Sequence, residues 1–131
     1  MQRVSVNPWP WSLQFGFSQA ECVEGAQRVL YCSGQSAVGP DGAPQHPGDM
    51  PAQITLTLDN LEAVLAAGGM NLANVVRLTI YMTDVDGFLA DYDVHASRLA
   101  AAGVKPASVL VGVARLAFPD LLIEIEATAT Q

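Results

Sequence analysis

The sequence predicts an α+β domain: a mixed sheet of about six strands with two helices packed on one face. Three observations carry this. Two segments alternate apolar and polar residues with the period of a strand. In one, Val76, Leu78, Ile80 and Met82 alternate with Arg77, Thr79, Tyr81 and Thr83; in the other, Leu121, Ile123, Ile125 and Ala127 alternate with Leu122, Glu124, Glu126 and Thr128. Two further segments repeat their apolar residues at helical spacing. Gly and Pro cluster between these runs, which follow the order strand, hairpin, helix, strand, helix, strand, strand.

From the N-terminus, Gln2 to Val6 has the short alternation of an edge strand. In Asn7-Pro8-Trp9-Pro10-Trp11-Ser12 the two prolines hold the backbone extended and forbid helix. Trp9 and Trp11 are expected to pin this arm onto the domain; the alternative is that they line a pocket mouth. Ser18 to Glu24 and Arg28 to Gln35 read as a hairpin around Glu24-Gly25-Ala26-Gln27. The second run ends in Ser33-Gly34-Gln35, where glycine permits a close approach of backbone or ligand, or forms a plain bulge.

Val38 to Gly48 is a loop rich in Gly and Pro, with His46 as a solvated side chain. Asp49 is the expected N-cap of the first helix, with Pro51 in its first turn, and Gly68-Gly69 ends it. Ile54, Leu58, Leu61 and Leu65 make its buried face. Val75 to Asp84 is the clearest strand. A second helix is expected from about Asp86 to Ala102, burying Phe88, Leu89, Tyr92, Ala96 and Leu99, with His95 at the edge of that face and Gly103 as the stop. Ala107 to Arg115 and Leu121 to Ala129 close the chain as two strands with a turn between them. Both helices can cover one sheet face. The other face, half polar and half apolar, then suits packing between subunits.

The chain has 131 residues, enough for one domain over 1–131 that buries a core without disulfides or metal. Net charge is −7 with only six basic residues, scattered, which argues against nucleic acid or an anionic membrane surface as partner. No signal peptide or membrane-length apolar run is visible, so a cytoplasmic location is expected. Cys22 and Cys32 are expected on neighbouring strands, as free thiols in a reducing compartment, although a disulfide is conceivable.

Gly16-Phe17-Ser18-Gln19-Ala20, Ser33-Gly34-Gln35 and Leu58-Asp59-Asn60-Leu61-Glu62-Ala63-Val64-Leu65 form the first part of a pattern. Val76 to Asp84, Lys105-Pro106-Ala107, Val113-Ala114-Arg115-Leu116 and Ile123-Glu124-Ile125-Glu126-Ala127 complete it. Together, in order and over nearly the whole chain, these segments resemble the RidA (YjgF) family. The resemblance implies a chorismate-mutase-like α+β fold, a homotrimer, and small-molecule clefts between adjacent subunits. It also implies cofactor-free hydrolysis of reactive enamines and imines to 2-keto acids and ammonia, with no metal.

Position by position, the resemblance assigns Glu124 as the catalytic carboxylate that orients water. It assigns Phe17, Ser33, Gly34, Gln35, Tyr92, Ser108 and Leu110 as substrate-binding positions. Active members carry Arg where this chain has Ser108, and that guanidinium grips the substrate carboxylate. A Tyr is common where Phe17 stands, an Asn where Tyr92 stands, and a small thiol where Leu110 stands. The resemblance thus keeps the water-handling carboxylate and loses the anion clamp.

Two functions fit. One is an enzyme acting on an imine or enamine other than the usual 2-imino acids. The other is a trimer that binds a ligand or partner without turnover, with Glu124 simply pairing with Arg77, Arg115 or a neighbouring chain. Ribonuclease action has little support, because the chain lacks a His pair and a basic groove.

Overall fold

The computed structural model describes residues 1–131. Strands β1 (Gln2–Val6) and β2 (Ala20–Glu24) pair antiparallel as a two-stranded ribbon, with a 3-10 turn at Pro10–Phe15 between them. Strands β3 (Val29–Ser36), β4 (Val75–Met82), β5 (Ala107–Gly112) and β6 (Ile123–Thr130) form a second sheet in the order β3-β6-β4-β5. Helix α1 (Met50–Ala67) precedes β4, and α2 (Val85–Ala90) and α3 (Tyr92–Ala101) cross from β4 to its parallel neighbour β5. The six strands and the helix-covered face agree with expectation.

Helix α1 follows from its local chemistry. The Asp49 carboxylate accepts the Ala52 N–H at 3.1 Å, capping one of the donors that a helix start leaves unpaired. Ile54, Leu58, Leu61 and Leu65 are fully buried against the sheet. On the sheet side the core comes from Leu78, Ile80 and Met82 of β4 and Ile123 and Ile125 of β6, the apolar halves of the two alternating runs.

Six expectations are corrected. Pro10, expected with Pro8 to forbid helix, opens the 3-10 turn instead, because its fixed φ suits a first helical position. Ser18–Glu24 and Arg28–Gln35 are not a hairpin: β2 pairs with β1, and β3 pairs antiparallel with β6. The eight-residue β6 offers β3 a longer ladder and a buried face, Cys32 opposite Ala127, which the five-residue β2 lacks. Cys22 and Cys32 therefore lie on strands of different sheets, both unbridged. The last two strands do not pair with each other either, since both flank β4 and the segment between them passes over its end.

The second helix starts at its Asp84 N-cap and breaks at Asp91, with Gly87 in its first turn; Gly and Asp are both poor helix-interior choices. That break shifts the phase. Leu89 is turned out to solvent, and His95 is buried with Phe88 and Leu99. Lastly, Trp9 and Trp11 do not bury themselves on the domain; they are 62% and 53% exposed.

Candidate active site

Register decides which predicted residues can meet. On β6 the side chains of Ile123, Ile125 and Ala127 enter the core, so Glu124 and Glu126 project from the open face of the sheet. There Glu124 lies opposite Tyr81 of β4 and Ser36 of β3. The Ser36 hydroxyl donates to the Glu124 carboxylate at 3.2 Å. The ladder between β3 and β6 slips between Cys32 and Gln35, a bulge that contains Ser33 and Gly34. The bulge lays bare Gly34 backbone on the carboxylate. A Cβ at Gly34 would stand 2.7 Å from the Glu124 carboxyl carbon. Both expected uses of that glycine are therefore realised at one place.

Next along the same face, Tyr81 donates its hydroxyl to Glu126 at 2.7 Å. That hydrogen bond, with slight desolvation and the Glu126 charge behind it, holds the phenol above its ordinary range. No ion pair ties Glu124 to Arg77 or Arg115 within the chain.

The remaining predicted residues gather elsewhere. In the parallel pairing of β4 and β5, Ser108 lies opposite Leu78 and Leu110 opposite Ile80, so both point to the helix-covered face. Strand β5 is the sheet edge, and helix cover stops short of it: Leu110 remains exposed. Ser18 bridges to Ala107 in parallel, its N–H donating to the Pro106 carbonyl at 3.3 Å, which sets Phe17 level with Pro106, two residues before Ser108. The Tyr92 hydroxyl donates to the Phe15 carbonyl at 2.5 Å and anchors the N-terminal arm to α3. Burial raises the Tyr92 phenol above its usual range. Trp11 meets Phe17 edge to face, ring centroids 5.8 Å apart.

The candidate residues thus fall into two groups, candidate half-sites. Ser33, Gly34 and Glu124 lie on the open face of the sheet; Ser108 and Leu110 point to its other face, with Phe17 on the arm and Tyr92 on α3 joined through the Phe15 carbonyl. Of all these, with Gln35, only Gln35 lines one of the main cavities of the chain, a 430 Å³ groove against Val38, Pro40 and Asn60. Sequence reasoning missed Ser36, whose pairing with Glu124 depends on a bulge, and the tie from Tyr92 to Phe15, which spans 77 residues. Glu124 carries the only formal charge among the eight candidates, and no group of three His, Cys, Asp or Glu side chains is placed to hold a metal ion.

A family model described as Endoribonuclease L-PSP matches residues 13–131. TdcF of Escherichia coli, whose name describes a reactive intermediate deaminase, is 30% identical over 79% of each chain. Its crystal structure with bound serine superposes with a TM-score of 0.71 over 88% of this chain and 87% of that one. YyfB of Yersinia pestis, a Rid family protein of unknown function, is 37% identical and superposes over the whole of both chains with a TM-score of 0.86. The protein mmf2 of Schizosaccharomyces pombe, named as mitochondrial, is 33% identical over the full length of both chains. No helix of this chain is long and apolar enough to cross a membrane.

Proposed function

The chain belongs to the RidA (YjgF) family, and from that premise we propose that it hydrolyses reactive imines or enamines to carbonyl compounds and ammonia, without a cofactor. The substrate differs from the usual 2-imino acids. One observation carries the reading: a carboxylate laid on bare glycine backbone and oriented by a serine hydroxyl, with no cation to neutralise it. Such a group can take a proton from water as the water attacks an imine carbon, then return it to the leaving nitrogen. The bulge at Ser33-Gly34 lets the carboxylate lie directly on backbone, as no side chain grows from Gly34.

The cleft in this reading is completed by a second copy. Glu124 and Ser108 face opposite ways on one sheet, so one copy supplies Glu124 and its neighbour supplies Phe17, Tyr92, Ser108 and Leu110. A homotrimer closes such a heterologous contact into a ring. The two free thiols suit a reducing compartment such as the cytoplasm. The acidic chain suits a small molecule better than RNA.

The test is ammonia release from imines generated in place by an oxidase or a dehydratase. Glu124→Gln should lower the enhancement over the spontaneous rate by about 10²-fold or more, and an unchanged rate would refute the role of Glu124. The binding reading is favoured by one observation, the Tyr92 hydroxyl already committed to Phe15. It predicts thermal stabilisation by a small ligand without turnover.

A further inference from the structure

The six basic residues of the chain can be placed one by one. Arg3 is spent on Glu21 and on the Ala73 and Val75 carbonyls. Arg28 is spent on Gln131 and the Gly68 carbonyl, and Arg98 on Asp59 and Glu62. Arg77, Lys105 and Arg115 remain without partners. Arg77 shares the open face with Glu124 but lies four residues from Tyr81 along β4, about 13 Å down the strand. Lys105 lines a 360 Å³ cleft with Arg3, Ser5, Ser18 and Glu21, none of them a half-site residue. Arg115 lies past the end of β5. Neither half-site therefore holds a cation of its own, and Glu124 has Glu126 two residues away on the same face.

The other half-site is aromatic. The Trp11 ring, held against Phe17, stays half exposed on an arm stiffened by Pro8 and Pro10 and tied to α3 through Phe15. The Tyr92 hydroxyl is committed to a carbonyl, and the Ser108 hydroxyl likewise bonds the Pro106 carbonyl at 3.1 Å. Both donors are turned away from any anion. Where a second copy sets its Glu124 against these rings, as the shared cleft requires, the pairing in a chain of net charge −7 is complementary to positive charge, since rings attract cations through their faces.

We propose that the substrate is an iminium ion lacking a carboxylate, R–CH=NH₂⁺ with an apolar or aromatic R. The reaction that supplies it is then the oxidation of a primary amine, not the oxidation or dehydration of an amino acid. This rests on the hydrolase reading above and names its substrate class. The step balances as R–CH=NH₂⁺ + H₂O → R–CHO + NH₄⁺. Water adds to carbon as Glu124 takes one of its protons and returns it to nitrogen; the C–N bond then breaks as the remaining hydroxyl proton passes to the departing ammonia, leaving the aldehyde and NH₄⁺.

A matched pair tests the charge alone. Phenethylamine with a flavin amine oxidase and phenylalanine with a flavin amino-acid oxidase give imines that differ only in the carboxylate. Wild type should accelerate ammonia release from the first by about tenfold or more over the second, each relative to its spontaneous rate. Ser108→Arg should reverse that order. Without any variant, phenethylamine should raise the melting temperature and phenylacetate should not. Equal or better action on the phenylalanine imine overturns the proposal and leaves the hydrolase reading standing. If that activity is then lost in Lys105→Met, Lys105 is the clamp. No acceleration of either imine overturns both.

Discussion

At Gly34 the backbone lies so close to Glu124 that a methyl group would press on the carboxylate itself. The Gly34 φ is ordinary, so Ala is conformationally allowed and the carboxylate must swing aside. Gly34→Ala should therefore leave the melting temperature within a few degrees of wild type, yet lower ammonia release about as far as Glu124→Gln; thermal melts and turnover read the two effects separately. His95 is the other telling residue. It is buried between Phe88 and Tyr92 with its Nδ1 unpartnered, and burial pushes its pKa down to about 4. An unfolded His titrates near 6.5, so between pH 6.5 and 4 the unfolded chain binds more protons and stability falls as pH falls. Over that window the loss is about 3 kcal/mol from this group. His95→Leu should show a correspondingly shallower fall in melting temperature from pH 7 to pH 4.

Among the elements, α1 does more than fill the core. Gln53, fully buried on it, donates to the carbonyls of His46 and Asp120 and accepts the Leu122 N–H at 2.8 Å. One side chain thus joins the loop before α1 to the segment that enters β6, two residues ahead of Glu124. Gln53→Leu strands three backbone groups and should cost about 2–4 kcal/mol in chemical denaturation. Asn60, one turn past Leu56, holds the Ser36 and Val38 carbonyls at 2.8 and 3.0 Å and so steadies the strand end that carries the Glu124 partner. The helix stripe was legible in the sequence. These polar anchors were not, because nothing in a helical period marks which polar residue faces inward to meet a backbone 67 or 69 residues away.

For the whole molecule, the decisive feature is the exposure of apolar surface on β5, which carries the candidate residues Ser108 and Leu110. Val109, Leu110 and Val111 are all exposed, so both faces of the edge strand β5 are uncovered. If a second copy completes the cleft, two crippled chains can rescue each other. Glu124→Gln and Leu110→Trp, each inactive alone, should recover activity once unfolded and refolded together. In such mixed assemblies some clefts receive both intact halves. Light scattering on wild type should give a mass of three chains, and a monomer would remove the basis for a shared cleft.

Composition, period and capping chemistry were enough to determine the fold class, the helix α1 with its cap, the buried halves of β4 and β6, and the family likeness on which Glu124 was picked out. These are properties of a residue and its near neighbours. Which strand pairs with which was left to the tertiary structure, because an alternating run states which face is apolar and nothing about its partner. Hence the expected hairpin became two strands of different sheets. The same limit hid that Ser108 and Glu124 point to opposite faces: two strands must be set in register through β4 before the direction of either side chain has meaning for the other.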